Sequence, residues 1–404
     1  MSSQKTIISG SFSYEVLEET LDIKVKRSEL FIGVPKETAF QENRIGLIPE
    51  AVNVLVANGH DVWIESKAGE KSGYSDKDYS EAGAKIKYSK EEIYNCDILI
   101  KSAPLIEEDL PLLKYNQTVI SPLHLSVLKP CILEKMAEKK VSAISFENLK
   151  DESGTYPIVR SMSEIAGSAS MLIAGQYLGS DTGGKGILLG GISGIPPTKV
   201  IILGAGVVGE FAARTALAMG ASVKVFDNSV YRLKRLQDTL GHRVWTSVVE
   251  PKILAKQLKT CEVAIGALGS QNGRTPMVAT EEMVANMRAG SIIIDVSIDR
   301  GGCFETSEIT THENPVFKKF DVIHYCVPNI PSGYSRTASH AISNVLNPLL
   351  LNMADFGGLD EYIWNNIHVR SGIYMYKGCV TNFYLSERFS MKYTDINLLI
   401  ASLG

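Results

Sequence analysis

The sequence predicts an α/β fold of two doubly wound, mostly parallel sheets with helices on both faces, joined by long helices. Three observations support this: short apolar runs alternate with amphipathic stretches, a glycine-rich segment at 183–194 separates two such series, and two long helical segments connect them. The chain has 404 residues, enough for two or three domains. We predict a substrate domain at 1–157 with 336–404, and a nucleotide domain at 158–335.

The predicted elements follow from apolar periodicity. Apolar residues recur four apart at 49–58, which is helical spacing, and small residues at helical spacing in 163–178 would let another helix approach closely. The second long helix, 337–355, contains Pro348, which should kink or divide it; if it crosses back, the tail rejoins the first domain. The strand-like runs are 31–34, 61–65, 97–100, 118–123 and 141–146, then 199–203, 222–226, 243–246, 262–267, 291–296 and 322–327.

Composition excludes several classes of function. Lysine and arginine total 41 against 45 acidic residues, a net charge of −4 without long single-sign blocks, so we expect neither nucleic acid nor a membrane surface as partner. No apolar run approaches the roughly 20 residues of a spanning helix. Residues 1–30 mix acidic and apolar residues, unlike a secretory signal, so we expect a cytoplasmic protein. The six cysteines form no CxxC pair, which favours reduced structural thiols and no metal site.

A glycine-rich turn follows the apolar run at 199–203. Gly204, Gly206 and Gly209 have the GxGxxG spacing, in which the glycines serve the tight turn, the approach of a pyrophosphate and helix packing. The next strand ends at Asp227, placed to bind a ribose hydroxyl pair. This context predicts a Rossmann-like dinucleotide site that prefers NAD, although Asn228 and Arg232 could accommodate the extra phosphate of NADP.

Polar residues follow the carboxyl ends of strands in both series. They are Arg44, Lys101 and His124 in the first domain, and Asp299 and Asn329 in the second. Ligands of open α/β sheets collect at such edges. Arginine suits a carboxylate, lysine a carbonyl oxygen and histidine proton transfer, which together suggest hydride transfer from a small acid. Taken singly, each has a structural alternative, as a solvated charge or a satisfied core histidine.

Several motifs resemble one family over roughly residues 30–356. The chain looks like alanine dehydrogenases and the related soluble domain of proton-translocating transhydrogenases. The segments that carry the resemblance are FIGVPKET (31–38), Asn43-Arg44, GEKSGYSD (69–76), LHL (123–125), MSEIAG (162–167), GGISG (190–194), DVSIDRGG (295–302) and YCVPN (325–329).

The resemblance implies a homo-oligomeric, hexameric L-alanine dehydrogenase that interconverts L-alanine with pyruvate and ammonia using NAD. It also implies that Arg44 binds the substrate carboxylate, that His124 is the general acid and base, and that Asp299 serves the reacting centre beside the nicotinamide. The implied cofactor contacts are Ser163, Arg232, Val327 and Asn329.

The chain departs from the family pattern after the third predicted strand. The family carries Lys-Val-Lys-Glu-Pro there, whereas this chain reads Lys101-Ser-Ala103-Pro, so alanine replaces the lysine that touches substrate. Either Lys101 reaches the cleft by a shifted backbone, acting as catalytic and substrate-binding residue, or the site lacks a cation. Residues 1–30 precede the usual family start, and 357–404 are poorly covered; aromatic residues of this tail are expected to pack.

The missing lysine keeps two other functions open. One is a catalytically silent regulatory protein that binds NAD(H), and the other is a transhydrogenase component, which would require a proton-channel partner. His124 in its Leu-His-Leu setting favours the dehydrogenase over the transhydrogenase component. NADH formation from a panel of amino acids separates enzyme from regulator.

Overall fold

Two separate sheets organise the protein, as the sequence predicts. The computed structural model describes residues 27–39, 41–124, 128–269 and 273–401, so most of the 1–30 extension and Leu125 lie outside the described residues. The strands are β1 (Phe31–Val34), β2 (Asp61–Glu65), β3 (Lys85–Lys87), β4 (Ile98–Ile100), β5 (Thr118–Ser121), β6 (Ser142–Ser145), β7 (Lys199–Leu203), β8 (Ser222–Phe226), β9 (Trp245–Ser247), β10 (Val263–Gly266), β11 (Ile292–Asp295), β12 (Val316–Lys319), β13 (Val322–Tyr325), β14 (Ile373–Tyr376) and β15 (Cys379–Val380).

Both sheets are doubly wound. The first has the order β15-β14-β6-β5-β4-β1-β2-β3 and the second β12-β13-β11-β10-β7-β8-β9. The strands β1 to β6 pair in parallel, as do β7 to β11 and β13. The strands β12 and β15 are antiparallel edge strands, and β14 lies between β15 and β6, antiparallel to both. In each sheet the strand order reverses at one point, between β1 and β4 and between β7 and β10. Ligands of such sheets bind outside the carboxyl ends at that reversal.

Helices cover the sheets and connect them. Small residues let α5 approach α6 as predicted, since a side chain at Gly167 would collide with the carbonyl oxygen of Val208. The second connector is one continuous helix that includes Pro348, rather than two. The helices are α1 (Pro49–Ala57), α2 (Asp76–Glu81), α3 (Lys90–Ile93), α4 (Pro130–Glu138), α5 (Pro157–Tyr177), α6 (Val207–Ala218), α7 (Val230–Leu240), α8 (Pro251–Leu258), α9 (Glu281–Ala285), α10 (Ser335–Asp355), α11 (Leu359–Asn365), α12 (Ile367–Arg370), α13 (Phe383–Phe389) and α14 (Ile396–Ala401).

The C-terminal tail rejoins the first sheet. After α10 the chain adds β14 beside β6 and β15 beside β14, while β7 to β13 form the second sheet. Tyr374 and Tyr376 pack in the interior, as expected of the tail aromatics, whereas Phe383 and Tyr384 are exposed. The exact domain boundaries at 157 and 335 stay a prediction.

The cores are apolar, and four of the six thiols are buried. The central parallel strands β4, β7, β10 and β11 present nearly continuous apolar runs that are buried on both faces. All six cysteines are free, and burial raises the pKa of the Cys96, Cys261, Cys303 and Cys326 thiols to about 12. Among the described residues, no helix is both long enough and apolar enough to cross a bilayer.

Candidate active site

The three glycines of the turn between β7 and α6 have two different roles. Gly204 has φ of 118°, and a Cβ there would collide with the carbonyl oxygen of Ala267. A Cβ on Gly209 would collide with the carbonyl oxygen of Gly204, so this residue lets the helix pack against the turn. A Cβ on Gly206 would meet no atom within 4 Å. The turn therefore leaves an open backbone face at Gly206, next to the N-terminus of α6, where a pyrophosphate group fits.

Asp227 fixes this turn from the end of β8. Its side chain is buried, and Oδ2 accepts a hydrogen bond from the Ala205 amide at 2.8 Å while Oδ1 accepts one from the Ser229 amide at 2.7 Å. Arg232, half-exposed on the first turn of α7, approaches Asp227 Oδ2 to 3.8 Å. The structure thus brings together Asp227, Arg232 and the glycine turn.

Arg44 lies in the loop after β1, beside the reversal point of the first sheet. It is 8 % exposed, and its Nε and Nη2 donate to Oε1 and Oε2 of Glu42 at 2.7 and 2.5 Å. Burial by itself would lower the pKa of Arg44, but the Glu42, Glu37 and Glu147 carboxylates outweigh it and raise this pKa. The guanidinium is therefore permanently charged, and among the residues that the structure describes Nη1 contacts only the weak acceptor Met162 Sδ, at 3.5 Å.

Lys101 follows β4 on the other side of the reversal point, but its ammonium is 2 % exposed. Its Nζ lies 3.2 Å from Glu37 Oε2 and 3.4 Å from Asp109 Oδ2. Glu37 Oε1 also accepts hydrogen bonds from the amides of Ser102 and Ala103, at 2.5 and 3.1 Å. The ammonium is thus committed to two carboxylates, and contact with a substrate would require it to leave one of them; that role stays a prediction.

His124 lies at the end of the β5 segment and is exposed rather than enclosed in the core. Its backbone is left-handed, with φ of 37°, and its amide and that of Leu123 donate to Glu147 Oε1 at 3.4 and 3.3 Å. Glu147 therefore holds the peptide that presents the imidazole.

Asp299 follows β11 on a short 3₁₀ turn in the second domain. Desolvation by the surrounding protein raises the pKa of this carboxyl, while Arg300 and His124 act in the opposite direction. The side chain is nevertheless 52 % exposed, so it faces an opening. The loops at the carboxyl ends of the two sheets meet where Asn329 Nδ2 donates to Glu42 Oε2, at 3.3 Å.

The loop that carries Asp299 is held by the buried carboxylate of Asp295. Asp295 Oδ2 accepts hydrogen bonds from the Cys303 amide and the Ser307 hydroxyl, both at 2.7 Å, and Oδ1 accepts one from the Ser297 amide. Burial raises the pKa of Asp295, and these hydrogen bonds lower it.

Asn329 joins the two domains after β13. It has a left-handed backbone with φ of 57°, and its Nδ2 donates to Glu42 Oε2 at 3.3 Å. Val327, two residues earlier, is buried, and Ser163 is half-buried on α5. Among the predicted cofactor contacts, Asn329 is thus hydrogen-bonded to the loop that carries Arg44.

Sequence reasoning missed the carboxylates that surround the predicted cations. They are Glu37, Glu42, Asp109 and Glu147. The only available signal was local: Glu42 lies two residues before Arg44, and Glu37 belongs to the Pro-Lys-Glu segment after β1. Glu147 contacts the site from 23 positions away, and Asp109, although it closely follows Lys101 in sequence, lies on a separate 3₁₀ turn, so neither strand nor helix spacing revealed them.

One doubly wound domain carries a glycine turn suited to a dinucleotide, and the other carries a buried arginine and an exposed histidine. This arrangement defines the class of two-domain, dinucleotide-dependent oxidoreductases. The chain belongs to the alanine dehydrogenase/PNT family: residues 33–166 match the profile "Alanine dehydrogenase/PNT, N-terminal domain", and residues 170–383 match its C-terminal domain.

Known proteins agree with this assignment. "Alanine dehydrogenase 2" of Staphylococcus aureus (strain USA300) is 37% identical over 366 residues, covering 90% of this chain and 98% of that protein. A solved L-alanine dehydrogenase superposes with a TM-score of 0.84 at 33% identity, covering 89% of this chain and 99% of that one. A transhydrogenase from Sinorhizobium meliloti shares the fold, with a TM-score of 0.75 at 21% identity over 87% of this chain and 99% of that one.

Proposed function

We infer that the protein is an NAD-dependent L-alanine dehydrogenase that converts L-alanine, NAD and water to pyruvate, ammonium, NADH and a proton, and the reverse. The observation that carries this is the contact between the two sheet rims. His124, exposed, and Arg44, buried, belong to one rim, Asp299 and Asn329 belong to the other, and Asn329 Nδ2 donates to Glu42 Oε2 between them at 3.3 Å. Family membership and the names of the relatives support the same reaction.

The residues of the second domain fit NAD. The open backbone at Gly206 accepts a pyrophosphate, and the buried carboxylate of Asp227 stands where a ribose diol would lie and a 2′-phosphate would be repelled. Gly204 and Gly209 hold the turn, with Arg232, Ser163, Val327 and Asn329 as further contacts. When bound, NAD accepts the hydride from the substrate Cα.

The residues of the first domain bind the amino acid and move its protons. Arg44 keeps its Nη1 and one Nη2 proton for the substrate carboxylate, because its other edge is occupied by Glu42. His124, as the neutral imidazole, accepts a proton from the substrate ammonium and releases it to solvent; once the hydride has left Cα, the neutral imidazole accepts a proton from the water that attacks the iminium carbon. Asp299, about half exposed, stabilises the positive charge on that imidazole.

Lys101 supports this site through Glu37. Its ammonium neutralises the buried carboxylate that holds the amides of Ser102 and Ala103, so it keeps the loop after β4 in place. Because Ala103 supplies no cation, the carbonyl of pyruvate is polarised by His124 in this proposal.

The test is NADH formation from L-alanine, followed by absorbance, with a panel of amino acids and 2-oxo acids. We expect turnover with L-alanine that rises toward alkaline pH, where the substrate amine becomes neutral. In His124→Asn, whose side chain tolerates the left-handed backbone, turnover should fall by about 10²- to 10⁴-fold, the contribution of one general acid–base. NADH binding should be unchanged.

Near-normal turnover in His124→Asn would remove the proton-transfer role from this residue. Binding of NADH without oxidation of any amino acid would instead identify a regulatory protein, the reading that the absent lysine at Ala103 supports. A homo-oligomeric, hexameric state and a cytoplasmic location belong to the same proposal; the six free thiols fit a reducing compartment.

A further inference from the structure

One carboxylate lies between the substrate arginine and the cofactor domain. Glu42 Oε1 accepts hydrogen bonds from Nε and from the backbone amide of Arg44, at 2.7 and 3.0 Å. Its Oε2 accepts from Arg44 Nη2 at 2.5 Å and from Asn329 Nδ2 at 3.3 Å. Glu42 is 5 % exposed, so all of its neighbours are protein groups. A single buried side chain thus touches a substrate-binding and a cofactor-side residue.

The bonds to Glu42 determine which edge of the Arg44 guanidinium is free to bind a ligand. A guanidinium offers a side edge, Nε with Nη2, and an end edge, Nη1 with Nη2. Glu42 takes the side edge in a two-bond pair. The end edge remains available, and within the described part of the chain its Nη1 has only Met162 Sδ as a hydrogen-bond partner. Glu42 therefore selects the edge that receives the substrate carboxylate and fixes its direction.

The loop around Glu42 is also bonded to the segment that leaves the cofactor domain. Ser332 Oγ accepts from the Asn43 amide at 2.9 Å and donates to the Gln41 carbonyl at 2.6 Å. The Ile45 amide donates to Ser339 Oγ at 2.9 Å. Asn329 begins this same segment, so a shift of Asn329 is transmitted both through Glu42 and through the serine hydroxyls to the arginine loop.

We propose that Glu42 is a positioning residue that couples substrate binding at Arg44 to cofactor binding at Asn329. This rests on the proposed dehydrogenase function. A nicotinamide held at Asn329 orders the Glu42 carboxylate, and the ordered carboxylate presents the end edge of Arg44. Because coupling between two ligands is reciprocal, pyruvate must tighten NADH by the same factor as NADH tightens pyruvate.

The test compares Glu42→Gln with wild type in two measurements. The first is the KM for pyruvate and kcat in the presence of NADH and ammonium. The second is the Kd of NADH, from its fluorescence, with and without pyruvate and without ammonium. We expect wild type to show coupling of about fivefold or more, typical of linked sites. In Glu42→Gln the KM should rise about tenfold with kcat changed less, since binding rather than chemistry is weakened, and the coupling factor should approach one.

Glu262 provides a matched control. It is equally buried, at 8 % exposed, pairs with Arg288 at 2.9 Å and accepts the Lys199 amide, but it lies at the opposite end of β7 from the glycine turn. Glu262→Gln should leave KM and the coupling factor as in wild type. An equal change in both variants would mean that lost stability, not positioning, is measured, and would overturn the proposal.

Glu42→Asp decides the question if Glu42→Gln does not fold. It keeps the charge but shortens the side chain by one methylene group, so that one carboxylate can no longer contact both Arg44 and Asn329, and we expect the coupling factor to fall by about threefold, the effect of a hydrogen bond. A wild-type coupling factor in the folded variant, or no coupling in wild type, overturns the proposal while wild-type turnover of L-alanine still supports the enzyme. No turnover in wild type would overturn both.

Discussion

Alanine substitutions at two glycines of the turn, Gly206 and Gly209, should have different effects: one on the affinity for NADH and the other on the stability of the fold. Gly206→Ala places a methyl group where no atom lies within 4 Å, on a backbone with φ of −77° that alanine readily adopts. Gly209→Ala places the methyl group against the carbonyl oxygen of Gly204, which is backbone and cannot swing away. The first variant should lose the cofactor, and the second should lose stability.

The magnitudes follow from these environments. In Gly206→Ala, the reduced freedom of the unfolded chain stabilises by about 0.4–1 kcal/mol, and alanine is a poorer N-cap than glycine by a similar amount, so the net change is small. The methyl group blocks at least one amide bond to a charged phosphate, worth about 1.5–3 kcal/mol, or about ten- to a hundredfold in the Kd of NADH. In Gly209→Ala, overpacking costs the upper end of about 1–3 kcal/mol.

The assay pairs NADH fluorescence titration with urea unfolding of the cofactor-free protein. Wild type, Gly206→Ala and Gly209→Ala are measured together. We expect Gly206→Ala to unfold as wild type does and to bind NADH weakly. Wild-type affinity for NADH in Gly206→Ala would refute the assignment of this backbone to the pyrophosphate, and a large loss of stability would refute the open space seen at this position.

Two further predictions concern buried titratable groups. His324 is fully buried, with Nε2 bonded to Thr306 Oγ1 at 2.8 Å, and burial lowers its pKa below 6.5. Because the unfolded chain therefore binds the proton more readily, the contribution of His324 to stability is present above pH 6.5 and is lost as pH falls through the folded-state pKa. His324→Gln should show a smaller fall in unfolding free energy between pH 7 and 5 (about 1.4 kcal/mol less per unit of pKa shift), and an unchanged slope would contradict this. Lys101→Met leaves Glu37 buried and unpaired and should cost about 3–5 kcal/mol, which Glu37→Gln in the same chain should partly restore. If urea unfolding shows no loss in Lys101→Met, the ion pair does not hold this loop.

The sequence alone was sufficient for most of the fold. The strands β1 and β7 are nearly continuous apolar runs, and in β2 and β8 partly exposed residues interrupt the buried ones; all four have the predicted bounds. The strand β3 was missed because its three residues, Lys-Ile-Lys, lie at an edge and carry little apolar signal. The edge strands β12 and β15 were missed because packing on a neighbour, not local pattern, makes them strands. The strand β14, Ile-Tyr-Met-Tyr, is apolar and buried, but from the sequence its aromatic residues predicted only packing in the tail.

The glycine turn could also be predicted from the sequence, because all of its parts lie within about thirty residues and each has a local backbone requirement. The pairing of the charges was decided only by the tertiary structure. Glu42 meets Asn329 across 287 positions, and Lys101 meets Glu37 across 64. Sequence spacing determines which groups are near only within one element; across elements, the strand order and the connecting helices bring them together. Whether Lys101 is an exposed cation or a buried partner of a carboxylate therefore depended on the fold, because desolvation forces a buried charge to find a counter-charge.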